Sequence, residues 1–227
     1  MKLPSFSRWL YKMEYRHGNK AIQNLMLIVA AGMVITYIGC FINPTVLNYL
    51  MLTREALFNL QFWRLVTFIF VPPIGNTILL TIIGIYFYYT IGSTLENAWG
   101  AFKFNIFYFC GVLFMIITAL ITGYASNAYI NLSLFFAYAI LFPDSQFLLF
   151  FFIPVKAKWM AIADLVLYIF LFITGDLSSR VSIAMVALLF LIFFESNLVS
   201  YIKGLFSYRK TRSNFKRNNR NNTINFK

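Results

Sequence analysis

The sequence predicts an all-α membrane protein of six transmembrane helices, with an interfacial loop between spans one and two. Three observations carry that reading. The 227 residues are 60% hydrophobic and 11% charged, a balance outside the range of soluble domains. Uncharged runs of about 20 residues recur, the length a helix needs to cross roughly 30 Å of hydrocarbon. The net charge of +12 gathers at the two ends of the chain and in short loops. Membrane topology puts it there, whereas a nucleic-acid partner would want it along one face.

Residues 1–20 form a basic segment (Lys2, Arg8, Lys12, Arg16, Lys20) expected in the cytoplasm. It leads into an apolar stretch, Ala21 to Phe41, too long for the core of a cleavable signal peptide and therefore read as a retained first span. Asn43-Pro44 ends that span, because proline lacks an amide hydrogen and disfavours helix in the residue before it. From Thr45 to Leu65, apolar residues at helical spacing alternate with Arg54, Glu55 and Gln61, which suits a short helix lying in the interface. The break Pro72-Pro73-Ile74-Gly75-Asn76 precedes a second span, Thr77 to Ile91, and the loop GSTLENAWGAFK follows it.

The third span is expected from Phe104 to Thr122. A short fourth, Ala128 to Phe142, is bounded by Gly123 and Pro143. The stretch FPDSQFLLFFFIPVKAK reads as a re-entrant or interfacial element. A fifth span, Trp159 to Thr174, the polar loop GDLSSR and a sixth span, Val181 to Ile202, complete a membrane domain over 21–203. Residues 204–227 are basic and asparagine-rich, the composition of a disordered cytoplasmic tail.

An even number of spans places both termini on one side, and the positive-inside rule makes that side cytoplasmic. Sixteen of the 19 Lys and Arg then lie inside, with Arg54, Arg64 and Arg180 the exceptions. The expected location is the plasma membrane, with the endoplasmic reticulum as the alternative. Basic termini of this kind meet anionic lipid headgroups, and no nucleic-acid partner is expected. Cys40 and Cys110 lie in apolar stretches without CxxC or metal-ligand spacing. No metal or cofactor is expected, and His17, the sole histidine, lies outside every span.

Two motifs carry a family likeness. Gln61-Phe62-Trp63-Arg64-Leu65-Val66-Thr67 resembles the Trp-Arg motif in the first extramembrane loop of rhomboids and derlins. Gly92-Ser93-Thr94-Leu95-Glu96-Asn97-Ala98-Trp99-Gly100 resembles the GxxLExxWG signature of rhomboid intramembrane proteases, and FFFIPVKAKW before span five is also similar. The likeness covers residues 21–203. It implies a six-span rhomboid-like bundle in which Trp63 and Arg64 anchor the interfacial loop, while Leu95, Glu96, Trp99 and Gly100 hold the junction between spans two and three.

The resemblance also implies where catalysis would sit. Counting back from Ala137-Tyr138 and Leu141-Phe142-Pro143 puts the nucleophile motif at Ser126-Asn127-Ala128-Tyr129, with Ala128 in the place of the serine. The histidine is expected among Ser182, Ile183, Ala184, Met185, Val186 and Ala187, and the oxyanion-binding asparagine near Gly84. Serine is a weak nucleophile until a base takes its proton, so Ser126 and Ser133 do not replace the dyad. The chain is therefore expected to be no enzyme but a pseudoprotease that recognises transmembrane segments of other membrane proteins. The alternatives are a rhomboid serine protease with a degenerate site and a small-solute transporter, although no repeat of broken helices links the two halves.

Intramembrane acids face a bundle interior or water, which makes Asp164 and Glu195 candidate client-facing groups. Asn131, in the middle of span four, joins them as a polar side chain suited to bonding another helix. The topology predicts that, with Cys40 and Cys110 replaced, a cysteine at position 178 reacts with an impermeant maleimide from outside. One at position 213 should react only from inside. Labelling of both from the same side would end the six-span arrangement.

Overall fold

Hydrocarbon offers the backbone no water, so apolar runs fold as helices that satisfy their own amides. The computed structural model describes residues 12–16, 18–73, 75, 77–149 and 153–194. In chain order it contains α1 (Leu25–Ile42), α2 (Val46–Leu50), β1 (Leu52–Thr53), α3 (Arg54–Phe58), α4 (Arg64–Thr67), α5 (Ile78–Trp99), α6 (Ala101–Thr122), β2 (Tyr124–Ala125) and α7 (Ala128–Leu141). The hairpin strands β3 (Gln146–Leu149) and β4 (Ile153–Lys156) follow, then α8 (Ala157–Thr174) and α9 (Leu177–Phe194). Residues 1–11, His17, Ile74, Asn76, 150–152 and everything from Glu195 onward lie outside the described residues. With them go the expectations for Glu195, for the end of the sixth span and for the tail.

The protein is a mostly helical, multi-pass membrane protein. Five helices among the described residues are long and apolar enough to cross a bilayer: α1 with its lead-in from Gly18, α5, α6, α8 and α9. Helix α7 has 14 residues, which at 1.5 Å each span about 21 Å, short of a hydrocarbon core. Length alone therefore supports five candidate spans rather than six.

Several boundaries differ from expectation. The polar stretch read as a loop after Ile91 is helical through Trp99, and only Gly100 separates α5 from α6. Gly92, Leu95, Glu96 and Trp99 recur at i, i+3, i+4 and i+7, so they line one helical face turned into the bundle. Gly100 makes the turn with φ of +83°, a conformation that a Cβ would strain. Helix α9 begins at Leu177 rather than Val181, because Asp176 caps it: its Oδ1 accepts from the Ser179 amide at 3.4 Å and from Ser179 Oγ at 2.5 Å.

Residues 45–65 do not form one interfacial helix. They form three short ones interrupted by β1, which pairs antiparallel with β2 (Leu52 with Ala125, Thr53 with Tyr124). The stretch read as re-entrant or interfacial is a β-hairpin, with Gln146 opposite Lys156 and Leu149 opposite Ile153. Phe147 wedges into the bundle with its ring 5.0 Å from Phe87 and 5.3 Å from Tyr138.

Helix α5 is central and packs on α1, α6 and α7. Its approach to α1 depends on Gly92, where any Cβ would collide with Met26. Helix α8 is peripheral and buries only Ala157.

The segment between α1 and α5 is irregular, so its carbonyls need partners from elsewhere. Arg64 supplies them. Its Nη1 donates to the carbonyls of Asn48 at 2.5 Å and Met51 at 2.7 Å, and its Nε donates to Gln61 Oε1 at 2.8 Å. The residue is only 7% exposed. Trp63, an exposed neighbour, reaches the Tyr49 carbonyl at 3.4 Å through Nε1. Arg64→Ala should lower stability in a detergent unfolding assay by about 1–3 kcal/mol, because it leaves two part-buried carbonyls unpaired at the lipid boundary. Arg64→Lys should recover only part, since an ammonium lacks the planar fork. Unchanged midpoints in both variants would mean that the side chain merely reaches for the interface.

At the base of the hairpin, Asp144 accepts from Lys158 at 2.9 Å and Lys156 at 3.2 Å. Hydrogen bonds from Lys158, then Lys156, hold its carboxyl below the ordinary aspartate value. The clip is therefore at full strength above an ordinary pKa of about 4 and is lost as pH falls through the lowered value. Hydrogen exchange corrected for intrinsic rates should show constant protection of the hairpin amides from neutral pH to about pH 5, falling below about pH 4. Asp144→Asn should show the acid behaviour already at neutral pH. Protection that declines between pH 7 and 5 would assign the control to another group.

Candidate functional site

Three clusters of polar groups interrupt the apolar bundle. The first lies where a nucleophile is expected. Ala128 opens α7, and its amide donates to Ser126 Oγ at 3.2 Å, so that hydroxyl serves a turn. Ser133 is fully buried, and its Oγ donates back to the Ile130 carbonyl at 2.6 Å. It borders a crevice shared with Gly111, Met115, Ile130 and Met185 that is too narrow for a water molecule. Ser182, on α9, is buried with no partner for its hydroxyl among the described residues. Gly84 lets Pro73 press against α5, since a Cβ there would sit 3.0 Å from Pro73 Cγ.

The polar residue that works hardest here is Asn127. Its Nδ2 donates to the carbonyls of Ile69 at 3.2 Å and Val71 at 2.7 Å, which ties the chain before α5 to the start of α7. Its position just ahead of an apolar helix was the available signal, and only the fold shows which carbonyls it meets.

The second cluster sits at the opposite, basic end. Glu96 is 7% exposed, and its Oε1 accepts from the Asn24 amide at 2.6 Å, one of the donors that α1 leaves open at its start. Asn105, one turn into α6, donates from Nδ2 to the Ile22 carbonyl at 3.1 Å, and Lys103 pairs with Glu14 at 3.2 Å. Leu95 is fully buried on the same face. The Trp99 ring stands 5.3 Å from Phe107 and 5.9 Å from Phe194, which joins α5 to α6 and α9. Together with Gly100 these residues lock the start of α1 onto the junction of α5 and α6.

The third cluster involves Asp164. It lies seven residues into α8, about 10 Å from the basic end, on the partly covered face that also carries Ala161 and Tyr168. The Tyr168 ring is 6.1 Å from Tyr129 on α7. Tyr88 of α5, Tyr168 and Asp164 are close enough to interact electrostatically. The result is a polar seam between α8 and the rest of the bundle. Its three phenols went unnoticed in the sequence because Tyr88 and Tyr129 come from distant stretches. Tyr168, at i+4 from Asp164, was the one local clue. Asn131 is 2% exposed and lies sealed among the described residues of the bundle.

Among the described residues no three His, Cys, Asp or Glu side chains are grouped to hold a metal. No protein-family model matches the chain, and no curated protein matches it, so the reading of its site rests on the residues themselves.

Proposed function

We propose that this chain is a six-span, rhomboid-like pseudoprotease of the plasma membrane, with both termini cytoplasmic, that binds transmembrane segments of other membrane proteins. The seam along α8 is the observation that carries this reading. A spanning helix that buries one residue and yet turns a carboxylate and a phenol toward its neighbours offers an approaching helix both room and hydrogen-bonding groups. In hydrocarbon, association between helices depends on such polar contacts and close packing, because lipid tails are as apolar as leucine. Short α7 and the broken segment between α1 and α5 add to the room available.

The proposed lack of catalysis rests on chemistry. Acyl transfer needs a nucleophile, a base and donors for the oxyanion. Ala128 stands at the aligned nucleophile, Ser126 and Ser133 bond to backbone, and the chain's one histidine, His17, precedes all the long helices.

Full-length protein in proteoliposomes, with a photoreactive residue at position 161 or 166 and a single-span model client, tests both halves. The client should crosslink from 161 on the seam, not from 166 on the exposed face, and should stay intact. Equal crosslinking from both positions would end the docking reading. Cleavage abolished by Ser126→Ala or Ser133→Ala would establish a protease.

A further inference from the structure

Most polar side chains within this bundle that have partners bond backbone groups. Arg64 and Asn127 bond carbonyls of the broken segment, Glu96 and Asn105 bond the start of α1, and Arg180 bonds the Ile173 carbonyl at the end of α8 at 2.9 Å. Asp164 differs. None of the ion pairs among the described residues includes it. The lysines on the connections at its end of the bundle are already engaged, Lys103 with Glu14 and Lys156 and Lys158 with Asp144.

An acid inside a membrane is retained where it pairs with a cation, and here the flank of the helix that carries it is open. We infer that the seam selects a transmembrane helix bearing a lysine or arginine about 10 Å from the basic-side interface, the depth of Asp164. This rests on the client-binding reading and adds the chemistry of the client. Charge complementarity decides the occupant. A wholly apolar helix would leave the carboxylate as it is, and an acidic one would be repelled. A basic side chain at matching depth has an aliphatic stem to lie along α8 and a head group to meet the carboxylate. The Tyr168 phenol, one turn further along the same face of α8, supplies a further oxygen acceptor.

The test uses full-length protein carrying a donor fluorophore in proteoliposomes, titrated with acceptor-labelled Leu/Ala helices of fixed orientation. One helix is wholly apolar, one carries Lys at the matching depth, and one carries Lys two turns nearer the other face. The matched Lys helix should bind about tenfold more tightly than the other two, the range of intramembrane polar contacts. Asp164→Asn, close in shape, should abolish that preference, bringing the matched Lys helix to the affinity of the other two. Asp164→Lys should transfer the preference to a helix with Asp at the same depth.

Equal binding of all three helices would overturn the cation selectivity and leave client binding standing, the result expected if a lysine of this chain beyond Phe194 occupies the carboxylate. Binding of none would overturn both. A lysine preference that persists in Asp164→Asn would place the selectivity elsewhere.

Discussion

The constraint behind this structure is that a backbone group outside regular helix finds no water in hydrocarbon and must be given a partner by the protein. At several breaks in the helices among the described residues, a polar side chain supplies the partner. Arg64 gathers the carbonyls of Asn48 and Met51. Asn127 gathers those of Ile69 and Val71, and Thr81 accepts the Gly75 amide at 2.9 Å. At the other end Glu96 and Asn105 complete the start of α1. The two-residue ladder of β1 and β2 does the same with backbone alone. Removing any one of these partners would leave a part-buried backbone group unpaired, which costs more than losing a fully solvated hydrogen bond.

These polar ties work because the helices can come close. Gly92 admits Met26 against α5, and one turn further along, Glu96 reaches the Asn24 amide. Packing and hydrogen bonding at this end are therefore one device, with Trp99 extending it to α9 through Phe194. The opposite flank is built differently. Helix α8 is held by the hairpin base and by ring contacts such as Tyr129 with Tyr168, and most of its surface is open. The closely packed side and the open side of the bundle meet at the polar seam.

The proposed likeness to rhomboids and the proposed lack of a catalytic dyad fit that division. A fold kept for chemistry would place a base beside a serine. Here the Ser126 and Ser133 hydroxyls bond backbone groups, and the proposed recognition draws instead on the polar, loosely covered flank.

The sequence by itself determined the class of protein, the positions of the long helices and the residues that mark their junctions. Those properties depend on local hydrophobicity, and an apolar run in lipid has little choice but helix. Arg64 and Glu96 were legible as anchors, since a charge beside an apolar run needs a reason to be there. Tertiary structure decided the rest. The helical stripe of Gly92, Leu95, Glu96 and Trp99 looked like a loop because its polar members outweigh its period until α1 covers them. The Phe-rich stretch after Pro143 gave no sign of a hairpin, because strand pairing is set by a partner and not by composition. Asn127 and the Tyr129–Tyr168 ring pair acquire their roles only when distant segments meet, and no local pattern records which carbonyl or ring will be on the other side.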